Sequence, residues 1–442
     1  MSAQSKGKTL LYQMHRTIHH YFPDLYARLS ELSDERKGTT YSVCELLVGG
    51  LSLFLFKEGS RNAFNADRKE GKFRANYEKV FKLKLPHMDT VEDLFRQLPA
   101  EELAALKPIL IGQLMKKKVL HKFKVLGKSF VVAIDGVHVA TYEADYCGEC
   151  LHKTSSKGKK TYFHYVLEAK LVSSKGLSLS LASEWIANTE QEYDKQDCEL
   201  KAFVRLANTL KGYFPRLPIC ITADGLYPNR TFFDICRDNQ WDFILTFKEG
   251  NLPSVWEEIG LLPSSATQHR THTFKNNTQE ITRTYSWING IDYHGHCLNW
   301  IECKEEIQPR DTAEKKEGRF VHLSSFPLDS QSAPEVSQAG RLRWKIENEG
   351  FNTQKNHGYG LGHKFSRASF NAFKNYYQAL QIAHIIHQLL IHSQALAALL
   401  QSDAKLTLKH LWKQLLGYMT HYDIDPSPLH ALTEKRSQIR LC

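Results

Sequence analysis

Long uninterrupted apolar runs are missing from this 442-residue chain. The most apolar stretch, residues 376–400, is broken by Gln381, His384, His387, Gln388 and His392. A spanning helix needs about 20 mainly apolar residues. The stretch therefore reads as an amphipathic helix of a soluble domain, and a membrane-embedded function is excluded. The opening residues Met1-Ser2-Ala3-Gln4-Ser5-Lys6 lack the apolar core of a signal peptide. Cysteine is sparse: nine residues are scattered along the chain, and only Cys147 and Cys150 form a close pair. That spacing argues against a disulfide framework and for a reducing, cytoplasmic compartment. Internal repeats and long low-complexity tracts are also missing, so neither a solenoid nor a disordered tail organises the chain.

What is present points to a folded protein with a polyanionic partner. Hydrophobic residues make up 42% of the chain, enough for a sizeable core in two or three domains. Lys and Arg number 58 against 48 Asp and Glu, a net charge of +10, which favours nucleic acid. The excess is uneven. Arg61, Arg68, Lys69, Lys72, Arg74, Lys79, Lys82 and Lys84 face only Asp67, Glu70 and Glu78. No acid occurs from Leu103 to Ile134, while Lys116, Lys117, Lys118, Lys122, Lys124 and Lys128 accumulate. Such clusters can be merely solvated, but in so basic a chain they read as phosphate contacts.

The pattern divides the chain. Residues 1–125 read as helical, with apolar spacings of three and four in segments such as 41–56 and 91–119, and a helix start at Thr90-Val91-Glu92-Asp93. Residues 126–260 read as β-β-β-α-β-α-β. Strands are expected over 129–135, 161–172, 177–185, 219–224 and 242–247, with helices over 191–213 and 229–240. Alternation of this kind gives an α/β fold, a mixed sheet flanked by helices. Residues 261–319 lose the helical period and read as a β-rich insertion, with strands over 271–274, 280–287 and 297–301 and a hairpin signal at Asn289-Gly290. A core strand over 320–326 follows. A helix then starts at a capping box, Ser332-Ala333-Pro334-Glu335, and runs to about His357. A long helix over 369–400 and a polar tail over 401–442 close the chain.

Two apolar runs end in an acid: Val132-Ala133-Ile134-Asp135 and Ile221-Thr222-Ala223-Asp224. Polar residues just beyond the C-terminal ends of strands in such sheets line the functional crevice. A third carboxylate lies in Arg343-Trp344-Lys345-Ile346-Glu347-Asn348-Glu349. On a regular helix Arg343 and Glu347 share a face at i and i+4, whereas Glu349 points elsewhere, so Glu347 is the better candidate. Three converging carboxylates repel one another unless a cation neutralises them. Hard oxygen donors suit Mg2+, with Mn2+ as substitute. Two such ions roughly 3.5–4 Å apart activate an attacking oxygen and stabilise a leaving one.

These residues resemble DDE-type bacterial insertion-sequence transposases. The branch in question has a β-rich insertion between the second Asp and the Glu, and a Tyr-Arg-Glu-Lys signature around that Glu. The matching text is Val132-Ala133-Ile134-Asp135-Gly136, Thr222-Ala223-Asp224-Gly225 and Arg343-Trp344-Lys345-Ile346-Glu347, running through Phe351 and Lys355 to Tyr359. The chain departs from the signature twice. Gly340 stands where it has tyrosine, and its lysine falls at Gln354, with Lys355 one place later. The resemblance covers about residues 85–390. It implies a ribonuclease-H-like catalytic core, with Asp135, Asp224 and Glu347 as catalytic metal ligands. It also implies a helical N-terminal DNA-binding region, a homodimer on double-stranded DNA, Mg2+-dependent cutting at terminal inverted repeats with strand transfer, and a place on the bacterial nucleoid. Arg343, Lys355, Lys116, Lys117, Lys118, Lys159 and Lys160 are the candidate DNA contacts. A domesticated chain that only binds DNA, and a stand-alone metal-dependent nuclease, are the rival readings.

Cys147-Gly148-Glu149-Cys150 is half of a zinc site by spacing, with His152 and His164 nearby; reduced cysteines in a turn are the alternative. His384 and His387 are read as polar-face or core residues.

Overall fold

The computed structural model describes residues 2–37, 40–188, 196–311, 314–434 and 438–441. Helices α1 (Ala3–Tyr21), α2 (Leu25–Ser30), α3 (Val43–Leu55), α4 (Arg61–Lys69), α5 (Gly71–Phe81), α6 (Met88–Gln97), α7 (Ala100–Ala104) and α8 (Leu106–Lys116) come first. Capping residues set several starts. Ser42 and Glu45 form a reciprocal box at α3, each side chain taking up an N–H that the first turn leaves unpaired. Helix α6 begins earlier than Thr90: His87 caps it, its Nδ1 accepting from the Asp89 N–H at 3.3 Å. The periodic stretch 91–119 is three helices, because Pro99 and the turn at Ala105 interrupt it.

A mixed sheet follows. It comprises β1 (Lys124–Val125), β2 (Ser129–Tyr142), β3 (Leu151–Thr154), β4 (Lys160–Val172), β5 (Ser178–Ile186), then α9 (Glu199–Tyr213), β6 (Ile219–Ala223), α10 (Arg230–Asn239), β7 (Asp242–Thr246) and α11 (Pro253–Leu261). The first part of the expected 191–213 helix, residues 191–195, lies outside the described residues. Strands β5, β4 and β2 are antiparallel neighbours, and β6 and β7 then add in parallel. Strands β8 (Gln268–Lys275), β9 (Gln279–Tyr293), β10 (His296–Pro309) and β11 (Lys316–Ser324) do not stand apart. β11 pairs antiparallel with β7, so they extend the same sheet to eleven strands. The β9–β10 reversal is at His294-Gly295, not Asn289-Gly290. Gly290, at φ +81°, sits opposite a bulge between Leu298 and Trp300, and Asn289 spends its side chain on the backbone of Leu328.

The segment expected as one helix from Ser332 to His357 is α12 (Ser332–Arg341), a π-helical turn (Ile346–Asn352) and α13 (Thr353–Asn356). Its start is not capped by Ser332 and Glu335. The Asp329 carboxylate instead accepts from the N–H groups of Gln331 (2.8 Å) and Ser332 (2.7 Å), while the Ser332 hydroxyl accepts from the Asp329 N–H. Glu335 is drawn away to the Leu126 N–H.

Helices α14 (Phe370–Ile391), α15 (Gln394–Gln401), α16 (Leu408–His421) and α17 (Ser427–Glu434) complete the chain. α14 is not amphipathic. Nearly every residue from Phe370 to Leu390 is buried, because α1, α3, α6, α7 and β5 all pack on it. Several of its polar groups bond internally: the Asn371 and Asn375 amides donate to carbonyls at the end of α6, and His387 Nδ1 lies 2.6 Å from the Tyr359 hydroxyl. Among the described residues no helix is long and apolar enough to cross a membrane.

Gly340 is explained by packing. A Cβ there would lie 2.5 Å from the His322 ring and 2.9 Å from Ile244, so α12 sits directly on β11 and β7. His322 takes the volume that a larger residue at 340 would need. Gly340→Ala is expected to cost about 1–3 kcal/mol through overpacking, read as a lowered denaturation midpoint. An unchanged midpoint would contradict the close approach.

Candidate active site

The parallel ladder of β2 with β6 ends at the Ala133–Thr222 pair. Asp135 follows two residues on within β2, and Asp224 two residues on, just beyond the end of β6. Asp135 does not end its strand, as its apolar run suggested. β2 continues to Tyr142 in antiparallel pairing with β4. What ends near Asp135 is the parallel ladder with β6. Asp224 lies immediately after β6, its Oδ1 accepting from the Leu226 N–H at 2.9 Å.

Glu347 arrives from the π-helical turn. Arg343 joins it to the sheet: its Nη1 is 2.6 Å from Glu347 Oε1 and 3.5 Å from Asp135 Oδ2. Arg343 is 7% exposed, so its charge is spent on these carboxylates, and its guanidinium lies over the half-exposed ring of Trp344 at 4.4 Å. Glu349 takes a different direction and pairs with Lys345 at 2.5 Å. A π turn widens the helix locally and re-aims side chains, a feature common at functional sites.

A fourth carboxylate, not singled out from the sequence, belongs to this cluster. Glu199, the first residue of α9, accepts from the Tyr165 hydroxyl (2.6 Å) and the Tyr227 hydroxyl (3.4 Å). Both tyrosines also feel the charges of Asp135 and Asp224. Tyr165 reaches across only because residue 136 is glycine; a Cβ there would lie 2.5 Å from the ring. In sequence Glu199 looks like an ordinary acid in a helix's first turn, and nothing about it signals the crevice.

The charge balance is poor without a cation. The Asp135 carboxyl is pushed up to about 7: burial is the main cause, Arg343 pulls against it, and Glu347 and Glu199 add to it. The donor set is hard oxygen throughout, and a divalent cation of the Mg2+ type would relieve the repulsion that Arg343 only partly offsets. The donor chemistry suits such a group, but Arg343 bridges Asp135 and Glu347, and no three of these carboxylates bring oxygens within 4.8 Å of one another.

The other candidate residues fall in several places. Lys355 is exposed and close enough to act electrostatically on His138, three residues beyond Asp135, as does Lys153. Gln354, at the position of the signature lysine, is fully buried and bonds Gln381 of α14 at 2.9 Å. Lys159 and Lys160 are exposed on the β3–β4 hairpin. Lys116, Lys117 and Lys118 are exposed at the end of α8, where Lys117 donates to the His20 carbonyl of α1; no contact joins them to the carboxylates. His384 and His387 are buried, and burial lowers both well below the usual histidine range. Cys147, Cys150 and His164 bring their ligand atoms within 4.8 Å of one another; no other such group of three or more His, Cys, Asp or Glu occurs among the described residues.

No family model matches the chain, and no curated protein sequence is similar to it. Among solved structures, a piggyBac transposase in a synaptic complex with hairpin DNA is similar with a TM-score of 0.41 and 10% identity, over 96% of this chain and 82% of the other. A likeness of that degree says nothing about function.

Proposed function

We propose that the protein is a DDE-type DNA transposase of the bacterial insertion-sequence kind. The observation that carries this reading is the position of Asp135 and Asp224, each two residues past the last pair of the parallel β2–β6 ladder, with Glu347 joined to Asp135 through Arg343. The order β5-β4-β2-β6-β7, antiparallel and then parallel, supports a ribonuclease-H-like core. In this reading residues 126–260 and 320–400 form the catalytic core, residues 261–319 the insertion, residues 1–125 a helical DNA-binding and dimerisation region, and residues 401–442 a helical tail. The two departures from the family signature do not favour a defective enzyme, because packing accounts for both Gly340 and Gln354.

Divalent Mg2+ at the three carboxylates would supply Lewis-acid stabilisation of the attacking and leaving oxygens of a phosphodiester. The chain's own residues do the positioning. Asp135 is held by the sheet and Asp224 by the turn that follows β6, Arg343 orients Glu347, and Tyr165 and Tyr227 fix Glu199 beside them. Lys355 and Lys153 place positive charge at the mouth of the crevice, where the DNA backbone would lie, and the exposed Trp344 ring offers a stacking face for an unpaired base. The partner is double-stranded DNA at the element's terminal inverted repeats and at the target, met by a homodimer in the bacterial cytoplasm.

The test is incubation of the purified chain with DNA carrying the ends of its own element. Strand cleavage at those ends in Mg2+ or Mn2+, abolished by EDTA, is expected. Absence of cleavage in both metals, with binding intact, would overturn the enzyme reading. Cleavage without joining to a target would indicate a nuclease instead.

A further inference from the structure

Beyond the carboxylate crevice, a second group of ligand atoms is already assembled. Cys147 Sγ and Cys150 Sγ are 3.1 Å apart, and His164 Nε2 lies 3.8 Å from the first and 3.9 Å from the second. The two cysteines come from the turn after β2, and the histidine from β4, so the group crosses between elements. Cys150 and His164 are 2% and 4% exposed, which shelters the cluster from solvent on one side.

The surroundings hold each member in place. The Asp145 carboxylate accepts from the N–H groups of Cys147 (3.3 Å) and Gly148 (2.9 Å), and Gly148 takes φ +71° to close the turn. The Asn188 side chain donates to the Cys150 carbonyl at 3.2 Å, and the Asn188 N–H donates to the Glu149 carbonyl at 3.2 Å. The His164 ring is stacked on Phe370 of α14, centroids 4.1 Å apart and planes 11° from parallel, with Tyr142 edge-on. A turn pinned by four hydrogen bonds and a ring locked by stacking present two soft donors and one borderline donor to a common point. No bond joins the two sulfurs, since both cysteines are free.

We propose that Cys147, Cys150 and His164 bind one zinc ion. Zinc sits about 2.3 Å from sulfur and about 2.0–2.1 Å from imidazole nitrogen, so one ion reaches all three with a modest opening of the sulfur pair. The three ligands leave a fourth tetrahedral position to water. The donor set separates this site from the carboxylate crevice: thiolates select zinc, and carboxylates select Mg2+.

The position gives the ion a purpose. Cys150 leads directly into β3, and His164 lies on β4, so the ion ties together the base of the β3–β4 hairpin. That hairpin carries Lys153, Lys157, Lys159 and Lys160, all exposed, and Lys153 acts on His138 beside the crevice. The zinc therefore sets the direction in which a lysine-bearing arm leaves the sheet next to the candidate active site. That consequence rests on the DNA reading; the zinc site does not.

The experiment measures metal in full-length, untagged protein expressed with zinc in the medium. About one zinc per chain is expected, falling close to zero in the Cys147→Ser/Cys150→Ser double variant. Asp135→Asn keeps its zinc while losing cleavage, so the two sites fail independently. Cobalt substitution is expected to show the sulfur-to-metal charge-transfer absorption of a thiolate site. Should the double variant not fold, His164→Cys supplies the control: it retains zinc and shifts the cobalt spectrum toward a three-sulfur site. Wild-type protein with near-zero zinc even after reconstitution, zinc retained in a folded double variant, or a Cys147–Cys150 disulfide in the native protein would each overturn the proposal.

Discussion

Asp135→Asn, Asp224→Asn and Glu347→Gln are each expected to lower Mg2+-dependent DNA cleavage by roughly 10³-fold or more, corresponding to about 4 kcal/mol of lost transition-state stabilisation. The substitutions keep shape and remove one negative charge, so they act on metal retention rather than on folding. Asp135 is the sharpest case. Its carboxyl is already strained toward protonation by burial and by Glu347 and Glu199, and loss of its charge leaves Arg343 with Glu347 alone. DNA binding by gel shift should be nearly unchanged, because the exposed lysines that would hold phosphate lie elsewhere, at 153–160, 355 and 116–118. Full cleavage by any one variant would remove that residue from the site. Glu199→Gln separates a positioning role from a ligand role. If Glu199 acts only through Tyr165 and Tyr227, the variant lowers the rate without changing the Mg2+ concentration needed for half-maximal cleavage.

The second large effect is on stability. Glu168→Ala is expected to destabilise the protein by about 3–5 kcal/mol, the usual cost of leaving buried charges without their partner. Glu168 is fully buried on β4 and accepts from Ser180 (2.8 Å), Ser183 and Tyr377 (2.8 Å), with the Lys170 ammonium at 3.9 Å. Lys107 reaches the same serines, so two lysines share one carboxylate. Burial already holds both lysines down to about 8, and Glu168 is the group that pulls each back up. Lys170 also bonds Gln381, which bonds Gln354, and it lies over the Phe351 ring at 5.3 Å. The network thus underpins the π turn that carries Glu347. The measurement is a chemical denaturation midpoint for Glu168→Ala against wild type. A midpoint shift within error would show that the two lysines are satisfied without Glu168.

Much of the architecture was legible in local pattern. The runs around Asp135 and Asp224 are short and apolar and end in an acid, and helices α9 and α10 on either side of the second run follow their period. The misreadings share one cause, competition from tertiary contacts. Asn289-Gly290 has the composition of a hairpin turn, yet Leu328 claims the Asn289 side chain and the strand runs on through a bulge. Ser332 and Glu335 have the spacing of a capping box, yet Asp329 and the Leu126 N–H outbid them. The polar residues of α14 suggest a wet face, but packing buries them, and Asn371 and Asn375 bond the end of α6.

By itself, the sequence determined the α/β class and the basic character, and it offered the three carboxylates as candidates, because charge and periodicity are properties of neighbours along the chain. Tertiary structure decided the rest. Only the pairing of β2 with β6 brings the ends of both acid-terminated runs together. Only the buried Arg343, at the start of the π turn, joins Glu347, and not Glu349, to Asp135. Glu199 lies far along the chain from the residues it joins, and no local signal marks it; packing of α9 on the sheet brings it in, while pairing of β4 with β2 carries His164, already close in sequence, to the two cysteines.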